Sequence, residues 1–110
     1  MSEGVTIIVY PVQDLEAAKA RFSELAGAAP TSDSPYYVGF TIGNQEIGLD
    51  PHSHRHGATP YWQVDDIHAK LKALQDSGAE TVEDVKDVGG GRLIATVKDP
   101  DGNIIGLRQG

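Results

Sequence analysis

The chain has no cysteine, which excludes structural disulfides and thiolate metal sites. Basic residues are also scarce. The 9 lysines and arginines are scattered and outnumbered by 16 acids, for a net charge of −7, so no stripe for a phosphate backbone exists and a nucleic-acid partner is not expected. No apolar run approaches the ~18 residues of a membrane span. Met1 to Tyr10 lacks the basic start and long apolar stretch of an export signal. These absences lead us to expect a soluble, cytoplasmic protein with no membrane partner. The acids that cluster at Asp76, Glu80, Glu83, Asp84 and Asp87 read as a solvated face.

What is present is repetition. Val12-Gln13-Asp14-Leu15-Glu16-Ala17 returns as Val64-Asp65-Asp66-Ile67-His68-Ala69, with Tyr10 matched by Trp62. Gly43-Asn44-Gln45-Glu46-Ile47-Gly48-Leu49 returns, one residue shorter, as Gly102-Asn103-Ile104-Ile105-Gly106-Leu107. Two copies in the same order indicate a duplicated structural unit, and a surface where two units meet is a natural place for a site. At 110 residues with 39% hydrophobic content the chain is expected to be one globular domain. Its first module spans about 1–51, a connector 52–58, and the second module about 59–110.

Each copy has the same grammar. Val5 to Val12 is rich in β-branched residues and predicts a strand. Asp14 caps a helix whose apolar stripe is Leu15, Ala18, Phe22 and Leu25, stopped at Gly27. Pro30 to Pro35 reads as loop. Tyr36 to Ile42 alternates, Gly43-Asn44 turns the chain, and Glu46 to Leu49 returns it. In the second copy, Thr59 to Val64 is a strand, Asp66 caps a helix striped by Ile67, Leu71 and Leu74, and Gly78 ends it. Thr81 to Val88 reads as a polar edge strand and Arg92 to Val97 as another strand. Asp99-Pro100-Asp101-Gly102 is a turn, and Asn103 to Gln109 closes the chain.

The strand followed by Val-x-Asp-Leu/Ile-x-x-Ala in both halves, together with Lys98-Asp99-Pro100-Asp101-Gly102-Asn103-Ile104-Ile105, resembles the vicinal oxygen chelate superfamily. That is the group of glyoxalase I, bleomycin-resistance proteins and extradiol dioxygenases, and the resemblance covers nearly the whole chain. It implies an α+β fold of two βαβββ modules, forming a curved mixed sheet around a cleft with helices on the outside. It also implies frequent pairing of modules as dimers, and a homodimer is expected because a two-module chain leaves strand edges to be covered.

Side chains alternate along a strand, and the more apolar set should meet the helices. Trp62 and Phe22 are expected in the core. The opposite parity should face the cleft and includes Tyr37, Thr41, Glu46, Tyr61, Gln63, Arg92 and Arg108. The resemblance implies four metal-ligand positions at Ile7, Gly48, Thr59 and Gly106. Isoleucine and glycine side chains offer no lone pair, and a neutral threonine hydroxyl is a poor ligand for a divalent transition metal. No cofactor is therefore expected; the alternative is a divalent metal, at these positions or at the histidine connector. His52, His54 and His56 alternate in the connector, and His54 is a candidate at the cleft mouth.

The expected function is binding of a small molecule in the cleft, with Tyr37 and Tyr61 offering rings and hydroxyls. Arg92 and Arg108 would clamp a carboxylate or phosphate unless they pair with Glu46 or Asp50. The alternative is a lyase, isomerase or dioxygenase of the glyoxalase I type acting next to a carbonyl, with Glu46 or a histidine of the 52–56 loop as its base. Gly89-Gly90-Gly91 lacks the strand-to-helix setting of a phosphate loop.

Overall fold

The computed structural model describes residues 4–52 and 57–110. Among them are eight strands and two helices: β1 (Gly4–Pro11), α1 (Leu15–Ala26), β2 (Ser32–Ser34), β3 (Tyr37–Ile42), β4 (Gln45–Asp50), β5 (Thr59–Gln63), α2 (Ile67–Asp76), β6 (Glu80–Asp87), β7 (Leu93–Lys98) and β8 (Ile104–Gln109). The order is βαβββ twice, an α+β arrangement. By internal packing the chain divides into Ile7–Thr59 and Pro60–Gly110, the latter joined by the start of β1. We refer to these as the first and second modules.

In the first module the strand order is β2-β3-β4-β1. β1 runs parallel to β4, and the other pairs are antiparallel. Helix α1 begins where Asp14 Oδ1 accepts a hydrogen bond from the Ala17 N–H at 3.0 Å. It ends at Gly27, whose φ of 67° is the left-handed conformation that glycine adopts without a Cβ penalty. Ala18, Val38, Phe40 and Leu49 form the buried core, with Tyr10, Val12, Leu15, Phe22, Ala26 and Ile47 packed around it. Phe22 is half-buried against Tyr10, ring centroids 4.9 Å apart. Leu25, expected on the buried stripe, is 75% exposed. With Ile42 it stands at a pocket of about 190 Å³ also lined by Tyr10, Phe22, Ala26, Phe40 and Ile47. The segment expected to be a loop after Pro30 contains β2, because Ser34 Oγ accepts the Tyr36 and Tyr37 N–H groups and folds the chain back onto β3.

In the second module the order is β5-β8-β7-β6, with β5 parallel to β8. Val64, Ile67, Leu71, Ala79, Ala95, Val97 and Leu107 make the core. Asp66 caps α2 through the Ala69 N–H at 3.1 Å. Gln109 Oε1 accepts the Ile67 N–H at 2.8 Å, so a closing-strand side chain satisfies a second helix donor. Trp62 is a correction to the sequence reading. It lies on the helix-facing parity, across from Leu107, yet it is 42% exposed. Helix α2 packs on β6, β7 and β8, and within this module's own strand order β5 lies beyond them, so α2 does not cover the indole. β6 is the polar edge strand expected from its sequence, with Val85 its one half-buried residue.

Candidate functional site

Each module presents, on the face opposite its helix, a tyrosine lying over a strand glycine. In the first module, Val38, Phe40, Ile47 and Leu49 point to α1, so Tyr37, Gly39, Thr41, Glu46 and Gly48 share the other face. Register sets Gly39 beside Gly48 and Thr41 beside Glu46. The Tyr37 ring crosses both glycines. A Cβ on Gly48 would stand 2.8 Å from Tyr37 Cε1 and Cζ, and one on Gly39 would stand 3.1 Å from Cε2. The phenol then donates to Glu46 Oε2 at 2.6 Å, the short distance of a hydrogen bond to a charged acceptor. Thr41 belongs to a separate hydroxyl pair with Thr31 at 3.0 Å, and Thr31 also donates to the Gly39 carbonyl.

In the second module the corresponding face carries Tyr61, Gln63, Ile94, Thr96, Gly106 and Arg108. Tyr61 is in register with Gly106, and Gly106 with Thr96. Gln63 and Ile94 flank Arg108 in the same way. A Cβ on Gly106 would stand 2.5 Å from Tyr61 Cδ1 and 2.7 Å from Cγ. Neither Gly48 nor Gly106 has a positive φ. Glycine in such a strand costs about 0.5–1 kcal/mol relative to alanine, so its function here is to leave room for the ring. Thr96 is 4% exposed, and its hydroxyl has no hydrogen-bond partner among the described residues. A buried hydroxyl in that state costs about 1–3 kcal/mol.

Within each module some of the candidate residues come together. Tyr37 and Glu46 are bonded to each other, while Tyr61, Gln63 and Arg108 share the second module's face. Arg92 lies just before β7, exposed, its N–H donating to Gly89 O at 3.1 Å. Neither arginine forms an ion pair among the described residues. The expected pairing with Glu46 or Asp50 is replaced by Tyr37 on Glu46 and by the His52 N–H on Asp50 Oδ1 at 2.7 Å. His54 and His56 lie outside the described residues. His52 is exposed, with its ring stacked on Tyr36 at 6.2 Å between centroids. Thr96 belongs to the cleft-facing parity set, which is that of Arg108 and Gly106, and what the sequence does not show is the missing partner of its hydroxyl among the described residues.

The doubled βαβββ order with a glycine-centred final strand in each copy has a counterpart among known proteins. Residues 4–107 match the Glyoxalase/Bleomycin resistance protein/Dioxygenase superfamily. The chain belongs to that superfamily. No curated protein matches its sequence significantly.

Solved structures share the fold. One is a superfamily member from Vibrio splendidus 12B01, at 17% identity and TM-score 0.75, covering 99% of this chain and 98% of that one. Another is methylmalonyl-CoA epimerase from Mycobacterium tuberculosis, at 17% identity and TM-score 0.76, covering 98% and 88%. A third is a variant of the Streptomyces coelicolor methylmalonyl-CoA epimerase in complex with 2-nitronate-propionyl-CoA, at 15% identity and TM-score 0.78, covering 99% and 95%.

The four positions that the superfamily resemblance assigns to metal ligands do not fit a metal here. Ile7 is hydrocarbon and 8% exposed. Thr59 offers only a neutral hydroxyl. Gly48 and Gly106 have no donor, and the space for a donor side chain is taken by Tyr37 and Tyr61. Among the described residues no three His, Asp or Glu side chains converge. No helix among them is long and apolar enough to cross a membrane.

Proposed function

We propose that this superfamily member binds a small molecule without the four-ligand metal centre. The observation that carries this reading is the pair of strand glycines, Gly48 and Gly106, each covered by a tyrosine ring that fills the volume of a ligand side chain. Tyrosine supplies a flat apolar surface and a directional hydroxyl, which suits recognition of an organic ligand rather than coordination of an ion. Elemental analysis of dialysed protein tests it. The expected result is no stoichiometric transition metal, and a stoichiometric one overturns the reading.

A second reading is favoured by one contact. The 2.6 Å bond from Tyr37 orients the Glu46 carboxylate through Oε2 and leaves Oε1 to accept a proton from a carbon next to a carbonyl. On this reading the protein is a lyase or isomerase with Glu46 as base and Tyr37 as the group that positions it. Loss of turnover in Glu46→Gln, with partial retention in Tyr37→Phe, supports it; equal rates in wild type and Glu46→Gln sink it. We read the protein as a cytoplasmic homodimer, and a sedimentation mass near 11.7 kDa would remove the dimer.

A further inference from the structure

We propose that the second module receives the carboxylate of a small organic acid in a hollow over Gly106, built from Thr96, Arg108 and Gln63 and closed here by the Tyr61 ring. This rests on the reading of the chain as a small-molecule binder and names the group that is bound.

The Thr96 hydroxyl is the first support. It is buried, and it has no partner among the described residues. A hydroxyl in that state normally acquires a partner from the protein, from water or from a ligand. The second is the strand register, which places Thr96 beside Gly106 and Gly106 beside Tyr61. No side chain at 106 separates them, and only the ring fills the gap, with Cγ 2.7 Å from where a Cβ would be. Rotation of Tyr61 about χ1 to another staggered well vacates a space floored by the Gly106 backbone.

The third support is charge. Arg108 is the next residue of this face along β8, in register with Gln63, and it has no acidic partner among the described residues. Glu83, across from Thr96 in β6, is paired with Lys86 at 2.8 Å. Hydroxyl, amide and guanidinium donors on one face match the planar carboxylate, which arginine binds in a two-pronged fashion. Ile94 and Ile104 on the same face suit an apolar body. A net charge of −7 favours a monoanion over a phosphate dianion.

The experiment is an amide-resolved NMR titration of the whole chain with benzoate, with inorganic phosphate as the contrasting probe. Benzoate is expected to move the Thr96, Gly106 and Arg108 amides. Thr96→Val and Arg108→Met should each weaken binding about tenfold. Thr96→Val should also raise the melting temperature of the free protein, because a methyl replaces the unpartnered hydroxyl; this separates lost binding from lost folding. Unchanged benzoate affinity in both variants overturns the proposal, as does absence of any benzoate shift at these residues, or phosphate binding there that benzoate does not displace. If a compound binds but moves only Tyr37 and Glu46, this inference fails while the small-molecule reading stands. A stoichiometric metal removes both.

Discussion

The two modules have the same βαβββ order and the same tyrosine-on-glycine arrangement, but they complete it differently. In the first, Tyr37 reaches over Gly48 with its hydroxyl end and finishes on Glu46 at 2.6 Å. In the second, Tyr61 covers Gly106 with the part of the ring nearest its own backbone and lies on the face of Thr96 and Arg108, where among the described residues the Thr96 hydroxyl has no hydrogen-bond partner and Arg108 no ion pair. The first is a closed polar pair centred on an acid. The second is a set of polar groups with no acid paired to Arg108 among the described residues. The two copies share the strand glycine and the ring over it, and they differ in the polar residues beside them.

The largest effect on this comparison comes from the leucine that follows each strand glycine. Leu49 and Leu107 are both buried, and truncation to alanine should cost about 2–5 kcal/mol in each module. Leu49, fully buried beside Phe40, should lie at the upper end. Denaturant unfolding measures both, and a cost under ~1 kcal/mol at either site would mean that core is not packed as described.

The next effect separates the tyrosines. Gly48→Ala meets the far end of Tyr37, which can swing aside at the expense of the Glu46 hydrogen bond. Gly106→Ala meets Tyr61 at Cγ and Cδ1, which can escape only by changing χ1. Both should destabilise, by about 1–3 kcal/mol, with Gly106→Ala the larger. Adding Tyr61→Ala to Gly106→Ala should then cost less than the sum of the single changes. Additive costs would show that the ring and the glycine do not compete for one volume.

Much of this was legible in the sequence because it rests on local chemistry. Asp14 and Asp66 announce helix starts, Gly27 a helix end, and Asp99 to Gly102 a hairpin, since each acts on backbone within four residues. Strand alternation correctly separated Glu46 and Gly48 from Ile47 and Leu49. What was not legible depends on where a neighbouring element stops. Trp62 has the right parity, but its burial depends on how far α2 extends over the strands. Arg92 was placed in a strand that begins one residue later. The Tyr37–Glu46 bond joins residues that are not directly opposite, so register alone does not imply it. Thr96 reads as an ordinary strand threonine until its missing partner is seen.

Smaller effects test the helix starts. Asp14→Ala should cost about 1 kcal/mol. Asp66→Ala should cost less, because Gln109 still accepts the Ile67 N–H at the same helix end. Adding Gln109→Ala to Asp66→Ala should restore the full cost. Equal single-mutant costs would mean that the Gln109 bond contributes nothing to α2.

The smallest effect is a pH response that differs between the modules. Asp99 has its carboxyl held below the ordinary value of 3.8, first by the Asn103 side chain and then by backbone N–H groups of Asn103, Asp101 and Gly102. A lowered carboxyl contributes stability above its unfolded value and loses it as pH falls through the folded one, so acid should loosen the β7–β8 turn. The matching turn of the first module, Gly43-Asn44, contains no carboxylate. That module responds at the other extreme. Lys19 is raised above 10.5 by its bond to Glu16 and then by Asp33, so its contribution is complete below that value and is lost as pH rises through the higher folded one. Both groups are partly open to solvent, so the shifts should be visible in local amide signals rather than in global melting. Acidification below pH 3.8 should move the Asn103 and Asp101 amides while leaving Asn44 in place, and Asp99→Asn should abolish the response. Parallel movement of the two turns would show that the Asp99 carboxylate does not hold its hairpin.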